Sequence, residues 1–476
     1  MRTTNCPGVT ARAKRALGAA AVAGAAGLSL APTLARAADE AAILTAEAAD
    51  VAPEVSSLDV YGKRLDTPSS PKLTAEPLNT PQTITVVSDR TIRDQNLLTL
   101  RDILTTVPGI TFGAGEGGGG YGDSINLRGY SANNDITTDG LRDSAQYSRT
   151  DPFNLQQIEV INGSNSVYAG AGSVGGSINL VSKQPSARDS VLLSGALGTD
   201  GYQRFTVDAN RLLADGVAGR LNLMVHANDA PGRDVETYER WGIAPSVTFG
   251  VGGSTRFTLS AFHQEDDNTP QYGVPYASNA FINGPLPGVD PSSYYGFRNI
   301  DRQETQVDSL TGRFVHDFSD SLTISNITRW QRVTQRTVVN PPQGTWCLAS
   351  GLNAQTGAAC ATPGQYSPSG PRGNLRDTEN NQIVSQTDFA MTFQTGVWSH
   401  NLVVGFSFSN ETYDLSTGNV QRNANSSTPT YPAMDIANPV NVYAGPINFF
   451  QTNVSEGELS NQAIYAFDTV ELSEQW

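Results

Sequence analysis

Few side chains in this sequence have the types and spacing that catalysis or metal binding requires. No order of serine, histidine and acidic residues, or of cysteine and histidine, suggests a nucleophile with its base. The histidines are scattered singly through strand-like segments, where an ordinary strand residue is a commoner role than a metal ligand. They are His226, His263, His316 and His400. We therefore expect neither an enzyme nor a protein with a metal or cofactor of its own.

One glycine pattern formally matches a nucleotide-binding motif. Gly113-x-Gly115-x-x-Gly118 has the spacing of the dinucleotide fingerprint, which requires a strand before it and a helix after it. Here a predicted helix precedes the glycines, and Ser124–Leu127 after them has the pattern of a strand. Residues 113–122 are therefore interpreted as a flexible loop.

Residues 1–37 have the three parts of a secretory signal peptide. Basic residues lie near the N-terminus, residues 16–34 are apolar and rich in Ala and Gly, and Ala35-Arg36-Ala37 gives a small-x-small cleavage pattern. The alternative, a transmembrane helix, is disfavoured because Ala and Gly contribute little to membrane insertion. Cys347 and Cys360 are the cysteines that remain after cleavage, and export makes a disulfide between them the expected state.

Composition and charge limit the classes of function. The net charge is −15, 38% of the residues are hydrophobic, and there are 46 glycines. A chain this acidic is not expected to bind nucleic acid through phosphates. The balance of residue types suits polar-faced strands and turns better than packed helices. Residues 38–80 are partly Ala- and acid-rich and partly proline-rich, and they are predicted to form a flexible N-terminal segment.

Residues 81–185 are predicted to form a compact α+β domain. A short strand at 84–87 leads into a helix capped by Ser88, and a second helix follows from Leu97 to Val107. Short β-segments come next, at 124–130, 134–139, 157–161 and 176–182. This order of elements does not suggest a doubly wound sheet.

From about residue 190 to residue 476, apolar and polar residues alternate with period two. Leu402, Val404 and Phe406, for example, alternate with less apolar neighbours. Ten strands are predicted, at 190–198, 202–212, 218–228, 240–249, 256–265, 304–317, 321–334, 379–394, 400–412 and 459–472.

The connections between these strands differ in length at the two ends of the sheet. Short turns are predicted at 213–217, 250–255, 318–320 and 395–399. Longer connections are predicted at 229–239, 266–303, 335–378 and 413–458, and on that side only 199–201 is short. This arrangement is typical of an antiparallel transmembrane β-barrel. A soluble β-sandwich is the alternative, but its loops would not alternate in length in this way.

Several segments of the 81–185 region resemble the plug domain of TonB-dependent receptors, in the order and spacing of that family. They are Leu100–Leu104, Val107–Ile110, Asn126–Tyr130, Thr138–Asp143, Ile158–Ile161, Gly170–Ser173 and Gly175–Pro185. The Gly-rich loop and Asp151–Leu155 further resemble the catecholate-type siderophore receptor subgroup. The resemblance implies a plug domain followed by a barrel.

The sequence departs from the family pattern in two places. Asn162-Gly163-Ser164 stands where the family usually has Lys-Gly-Pro, and Ala171 stands where it often has an arginine. That arginine and the one at Arg128 are implied by the family to lock plug and barrel together through glutamates. Since Arg128 remains, the resemblance implies a weaker lock.

The resemblance also places a TonB box in the N-terminal segment, at Val55, Ser56, Ser57, Leu58, Asp59, Val60 and Tyr61. An extended, β-prone stretch of this kind adds as a strand to the sheet edge of a partner, here the TonB energising complex. The alternative reading is an ordinary linker strand.

Ligand contacts are implied at the plug apex and in the outer loops. The plug candidates are Glu116, Tyr121, Arg142, Tyr147 and Arg149, and the loop candidates are Tyr272, Tyr276, Tyr294, Tyr295, Arg298 and Trp346. Arginine and aromatic side chains suit anionic iron complexes. Loop packing is the alternative role for each of them.

The implied function is uptake of a ferric siderophore across the outer membrane of a Gram-negative cell. Uptake of cobalamin or an oligosaccharide, or a passive porin or adhesin, are the alternatives. Plugged transporters have about 22 strands. Ten predicted strands therefore suggest a partial barrel, about ten of 22, that is not expected to transport as it stands.

Overall fold

The computed structural model describes residues 67–113, 123–133, 135–143, 147–164, 168 and 174–473. The predicted signal peptide, the predicted TonB box, Glu116 and Tyr121 lie outside these residues. None of the helices in the described ranges combines the length and the apolar character needed to cross a bilayer.

The region from residue 83 to residue 182 forms a small α+β domain, as expected from the sequence. Its elements are β1 (Thr83–Ser88), α1 (Asp89–Asp94), α2 (Leu100–Thr105), β2 (Ile110–Phe112), β3 (Ile125–Leu127), β4 (Tyr130–Ser131), β5 (Ile136–Thr138), β6 (Leu141–Arg142), β7 (Leu155–Asn162) and β8 (Gly176–Ser182). A 3-10 turn at Pro77–Asn79 precedes them. The main sheet has the order β1-β7-β8-β5-β6, and β2, β3 and β4 form a second sheet.

Both helices begin at capping residues and bury one face against these sheets. The Ser88 side chain accepts a hydrogen bond from the Thr91 amide, and Thr99 with Asp102 forms a reciprocal capping box. Ile103 and Leu104 of α2 are fully buried in one cluster with Ile158 and Ile178 of the main sheet. A continuous apolar core therefore holds the domain together, independently of the strands that follow.

Ten long strands after this domain form one antiparallel sheet in chain order, and their number agrees with the sequence prediction. They are β9 (Ser190–Leu197), β10 (Gln203–Ala214), β11 (Val217–Asp229), β12 (Thr237–Phe249), β13 (Thr255–Asn268), β16 (Arg302–Ser319), β17 (Leu322–Val339), β20 (Arg372–Thr395), β21 (Trp398–Gln421) and β23 (Phe450–Glu471). The sheet is open, with β9 and β23 at its edges.

Five short strands lie within the long connections. They are β14 (Tyr276–Ser278), β15 (Asn283–Pro285), β18 (Gly344–Cys347), β19 (Gln365–Pro368) and β22 (Met434–Asp435). The hairpins at the opposite end of the sheet are tight, with only two residues between β16 and β17 and between β20 and β21. The unequal connections expected from the sequence are therefore present, although the long strands extend further than predicted.

The alternation of residue types is lost where a strand leaves the apolar zone. On β20 the outward positions Ile383, Phe389 and Phe393 are exposed and apolar, whereas Asp377 and Glu379 nearer the long loops are polar. Both faces of the strand are polar in that part, so the period-two pattern stops before the hydrogen-bonded strand does. This explains why the sequence pattern predicted a strand start at residue 379, whereas the hydrogen-bonded strand β20 begins at Arg372.

The two faces of the ten-stranded sheet have inverted polarity compared with a water-soluble fold. Leu310, Trp330 and Ile383 are direct neighbours on β16, β17 and β20, and they are 43–47% exposed on the outer face. The face that holds the plug buries Gln331 and Gln386 instead. An outer apolar band with a polar interior is the pattern of a transmembrane barrel wall.

Candidate ligand-binding site

The plug is fixed to the inner face of the sheet by buried charged groups. The Arg329 guanidinium on β17 donates to the Thr138 carbonyl oxygen at 3.0 Å and forms an ion pair with the Asp139 carboxylate, with both side chains almost fully buried. The Ser182 backbone amide and hydroxyl also donate to Asp139, at 2.8 and 2.9 Å. Burial acts to raise the pKa of Asp139, but Arg329, Arg313 and Ser182 hold it below its usual value.

The turn that presents Asp139 follows from its sequence. Asp139 and Gly140 connect β5 and β6, and both have positive φ, 55° and 81°. Two central residues with positive φ are characteristic of a type I′ hairpin, for which Asp-Gly is a preferred pair. The Thr138-Asp139-Gly140 segment therefore directs a carboxylate at the barrel wall.

A second buried acid fixes the plug to the first strands of the sheet. Asp151 accepts two hydrogen bonds from the Arg204 guanidinium on β10, at 2.7 and 2.9 Å. Arg240 on β12 donates to the Thr150 carbonyl oxygen at 2.7 Å, and the Thr150 hydroxyl bonds with Asp266 on β13 at 2.7 Å. Residues 150 and 151 are thus held by three strands of the sheet, β10, β12 and β13.

Arg149 and Tyr147 form the centre of a polar cluster at the plug apex. The Arg149 guanidinium pairs with Asp123 and, at 2.9 Å, with Asp143, and it lies 4.4 Å from the centre of the Tyr147 ring. The Tyr147 hydroxyl donates to Asp143 at 3.1 Å, and Gln331 on β17 donates to the same carboxylate at 3.1 Å. Burial, reinforced by the Asp143 charge, raises the pKa of Tyr147, so this hydroxyl stays protonated. Arg149 is therefore a structural cation.

A polar wall lies beside this apex, towards the long loops. On it, Gln335 pairs in register with Thr378, and Thr337 pairs with Arg376. The wall residues are Gln335, Thr337, Arg376, Thr378, Asn380, Gln382, Glu411 and Tyr413, and we refer to them as the polar wall. Gln382 donates to the Arg142 carbonyl oxygen at 3.2 Å, which joins the wall to the plug apex.

Several polar atoms at this wall are buried without a hydrogen-bond partner in the described part of the chain. They are the Nε of Arg142, both side-chain polar atoms of Gln335, the Oγ1 of Thr337 and the Oδ1 of Asn380. Buried polar groups are almost always satisfied in native proteins, because leaving one unpaired costs about 1–3 kcal/mol. Their concentration between plug apex and long loops identifies this region as the candidate ligand-binding site.

The long loops at this end of the sheet pack together into one folded unit, which we call the cap. Trp346 stacks on Tyr366 with ring centres 4.1 Å apart, and the Tyr295 hydroxyl donates to the Ile436 carbonyl oxygen. These residues belong to loops 269–301, 340–371 and 422–449, and they share one buried apolar cluster. Strands β18, β19 and β22 form a small sheet within the same unit.

Covalent and charged contacts add to the apolar core of the cap. A disulfide joins Cys347 to Cys360. Arg372 is buried and donates to the carbonyl oxygens of Gln343 and Pro341, at 3.1 and 2.8 Å. Loop 340–371 is therefore closed on itself and fixed to the first residue of β20.

The buried Asp301 carboxylate connects the cap to the top of two barrel strands, β16 and β17. Asp301 accepts hydrogen bonds from the Tyr294 hydroxyl at 2.6 Å, the Phe297 amide at 2.8 Å and the Asn340 side chain at 2.6 Å. Burial raises the pKa of Asp301 to about 6, in spite of these hydrogen bonds and the charge of Arg372.

The structure separates the predicted ligand contacts by their surroundings. Tyr147 and Arg149 are held in the plug apex, and Tyr294, Tyr295 and Trp346 are buried within the cap. Tyr272 and Arg142 are partly buried, whereas Tyr276 and Arg298 are exposed. Residue type alone does not distinguish an aromatic residue that packs a loop from one that faces a ligand. Ligand contact remains a prediction for all of them.

Arg128 occupies a two-residue turn between β3 and β4. It has φ 51° and is followed by Gly129 with φ 87°, again the geometry of a type I′ turn. Its side chain is exposed and forms no ion pair with another described residue. Its role as a lock between plug and barrel therefore stays a prediction.

The residues that fix the plug were not identified from the sequence as site residues. Asp139 and Arg329 are 190 positions apart, and Asp151 and Arg204 are 53 apart. The available signal was an arginine or an acid at an inward-facing position of a strand. Recognising it requires the register of the whole sheet.

Comparisons with known proteins agree with this architecture. Residues 76–177 match the family model described as TonB-dependent Receptor Plug Domain. The chain is 34% identical over 432 residues to the catecholate siderophore receptor Fiu of Escherichia coli K12, a match that covers 88% of this chain and 54% of Fiu. It is 35% identical over 361 residues to the probable TonB-dependent siderophore receptor PiuA of Acinetobacter baumannii, covering 75% and 46%.

Solved structures of the same two receptors resemble this chain in fold. The crystal structure of the ferric-catecholate import receptor Fiu in its open form superposes with a TM-score of 0.73 at 32% identity, over 86% of this chain and 60% of that one. The PiuA crystal structure also gives a TM-score of 0.73, at 30% identity, over 86% and 58%. The chain spans about half the length of the curated relatives it matches.

Proposed function

We propose that this chain, which contains a TonB-dependent receptor plug domain and is homologous to catecholate siderophore receptors, binds a ferric siderophore and takes part in its import across the outer membrane. The observation that carries the proposal is the docking of the plug, through Asp139 and Asp151, onto the polar face of a sheet whose outer face is apolar. A plug inside a lipid-facing wall serves gated passage and has no use in a soluble binding protein.

The chemistry of the candidate site supports an anionic, oxygen-rich ligand. Arg142 at the plug apex and Arg376 on the polar wall supply cations, and the side-chain amide of Gln335 supplies a donor. Ferric catecholates are negatively charged, and arginine forms strong charge-assisted hydrogen bonds with such ligands. Tyr276 and Arg298 on the exposed surface of the cap are proposed as first contacts for the arriving ligand.

Energy for the transport step is proposed to come from the TonB complex through residues 55–61. The strand-like segment Val55–Tyr61 would add to a sheet edge of the partner, so that force passes through backbone hydrogen bonds. The chain itself is proposed to carry no cofactor, since the iron is bound by the siderophore as cargo.

Uptake of radioactive iron tests this function. A strain whose receptor gene has been deleted and then restored should accumulate more iron from ferric catecholates than from ferric hydroxamates. It should do so only when the energising complex is present. Loss of cobalamin or oligosaccharide uptake on deletion, with iron uptake from every siderophore unchanged, would instead support a relative with another ligand. Uptake that needs no energising complex would indicate a passive porin.

A further inference from the structure

The segment before the plug sheet, residues 67–75, is attached at two successive points. The first attachment is to the plug itself. The Ser69 amide donates to the buried Glu159 carboxylate at 2.6 Å, and Gln157 donates to the Thr67 carbonyl oxygen at 3.1 Å. Asn179 donates to both Glu159 and the Ser69 hydroxyl, at 2.9 and 3.3 Å.

The second attachment is to the barrel wall. Lys72 is buried, and its Nζ lies 4.3 Å from the centre of the Tyr465 ring on β23. The same Nζ donates at 3.0 Å to the carbonyl oxygen of Tyr168, a plug residue, so Lys72 contacts both the wall and the plug. Two residues further on, the hydroxyls of Thr74 and Thr469 share a hydrogen bond of 2.6 Å. Within five residues the chain thus passes from contacts with the plug alone to contacts that include the barrel wall.

The wall provides a shaped cradle for Lys72. The Tyr465 hydroxyl donates to the Asp388 carboxylate on β20 at 2.6 Å, across Gly405 on β21, which pairs with both residues in register. A Cβ at Gly405 would lie 2.5 Å from the Tyr465 ring and 2.6 Å from Asp388, so only glycine permits this contact. The wall therefore holds the Tyr465 ring, whose hydroxyl is bonded to Asp388, directly beneath the Lys72 ammonium group.

Burial and charge act in opposite directions on this lysine. Burial lowers the pKa of Lys72, and the nearby Asp388 carboxylate offsets part of that effect. A cation on an aromatic face is attracted more strongly inside a desolvated site than at an exposed site. The contact of Lys72 with the wall is therefore expected to be the strongest attachment in an otherwise extended segment.

We propose that Lys72, seated on the Tyr465 ring, is a latch that must open before a force applied to the N-terminal segment, having released residues 67–69, reaches β1, the edge strand of the plug sheet. The inference deepens the proposed function and rests on it for its biological use. Lys72 is thereby assigned as a positioning residue: the lifetime of its contact determines when the plug begins to unfold under force.

The order of attachments along the chain gives the mechanical reason. A pull from the N-terminal side meets residues 67–69 first, then Lys72 and Thr74, and only afterwards β1. Strand β1 is the edge strand of the plug sheet and pairs with β7 from Thr83↔Asn162 onwards, so a pull on its first residue would separate the pair one residue at a time. Because the latch is anchored in the barrel wall, a load that has already released residues 67–69 passes into the wall and does not reach β1 until the latch opens.

Single-molecule pulling on the full receptor in lipid tests the latch without siderophore or energising complex. The handle is attached ahead of residue 55, and a constant force is applied. Opening of the latch should appear as an early step that frees the roughly nine residues between Thr74 and Thr83, about 30 Å of chain. Lys72→Met should shorten the lifetime before this step about tenfold, equivalent to about 1.4 kcal/mol.

Matched variants separate a latch from a general loss of structure. Tyr465→Phe keeps the ring but removes the hydroxyl that reaches Asp388, and it should shorten the lifetime by a smaller factor. Adding it to Lys72→Met should have little further effect. Lys72→Arg keeps the cation and should restore most of the lifetime. Arg90→Met removes an exposed plug cation with no wall contact and should change nothing.

An early step with the same lifetime in Lys72→Met as in the native receptor would overturn the latch, as would plug unfolding before any such step. Failure of the proposed function has a different signature. In that case the native receptor accumulates no iron from any siderophore, while the effect of Lys72 on the pulling record remains.

Discussion

The Arg329 guanidinium on the barrel wall and the Asp139 carboxylate on the plug form an ion pair in which both side chains are almost completely buried. Each group depends on the other, because a buried charge without a partner costs far more than the pair contributes. The contact joins two parts of the chain that fold around separate cores.

We expect Arg329→Met to loosen the plug and to lower the free energy of unfolding by about 3–5 kcal/mol, as for other buried pairs that lose one partner. Thermal unfolding and protease sensitivity of the plug in the purified receptor measure this. Arg332→Met, on the same strand, removes an exposed pair with Glu379 and should cost less than about 1 kcal/mol. Equal effects of the two substitutions would contradict the assignment of Arg329 as an anchor.

Acid should weaken the same anchor. The folded pKa of Asp139 is below its unfolded value, so its contribution is fully present above the ordinary aspartate pKa of 3.8 and is lost as pH falls through the folded pKa. Protease sensitivity of the plug should therefore rise below about pH 4. Asp139→Asn should show high sensitivity at every pH, with a smaller additional change in acid.

The cap should respond to pH in the opposite direction. Burial raises the folded pKa of Asp301 to about 6, so its contribution is full below its unfolded pKa and is lost as pH rises through about 6. Hydrogen exchange of residues 294–301, corrected for the intrinsic rate, should show less protection at pH 7.5 than at pH 5. Asp301→Asn should remove the difference, and a difference that persists in this variant would assign it to another group.

Reduction of the disulfide should loosen loop 340–371. Closing a loop of this size removes about 3 kcal/mol of chain entropy from the open form. Cys347→Ser with Cys360→Ser should increase hydrogen exchange in β18 and β19, while the plug is unaffected. Thiol labelling of the exported receptor without reductant is the direct check, and two freely reactive thiols would refute the disulfide.

Arg142→Gln should weaken binding of a ferric catecholate about tenfold, because one charge-assisted hydrogen bond is lost. Arg336→Gln is the matched control, since Arg336 lies between Gln335 and Thr337 on β17 but is exposed on the outer face. Quenching of intrinsic fluorescence by the ferric siderophore gives both affinities. Equal affinities for the two variants would remove Arg142 from the candidate site.

Leu58→Pro should abolish energised uptake and leave ligand binding unchanged. Proline removes a backbone donor and cannot continue a paired strand. Ala48→Pro, earlier in the N-terminal segment, is the control and should leave both activities intact. Normal uptake by the Leu58→Pro variant would place the TonB box elsewhere.

The number and order of the barrel strands could be predicted from the sequence because one face had to meet lipid. The ends of the strands could not, since at Asp377 and Glu379 both faces are polar and the alternation disappears. The helices of the plug were predictable from local signals, such as the Ser88 cap. The site was only partly predictable, because Tyr295 meets Ile436 and Asp139 meets Arg329 through contacts between distant segments.

Strands β20 and β21 have 24 residues each, which corresponds to about 80 Å of extended chain. Tilted by about 40°, such a strand rises about 60 Å, whereas the apolar band of an outer-membrane barrel is about 25 Å tall. More than half of this wall therefore projects into the surrounding medium as a tall hydrophilic rim. Along these strands, the cap therefore lies beyond the reach of molecules that diffuse within the bilayer, and it meets molecules of the aqueous medium first.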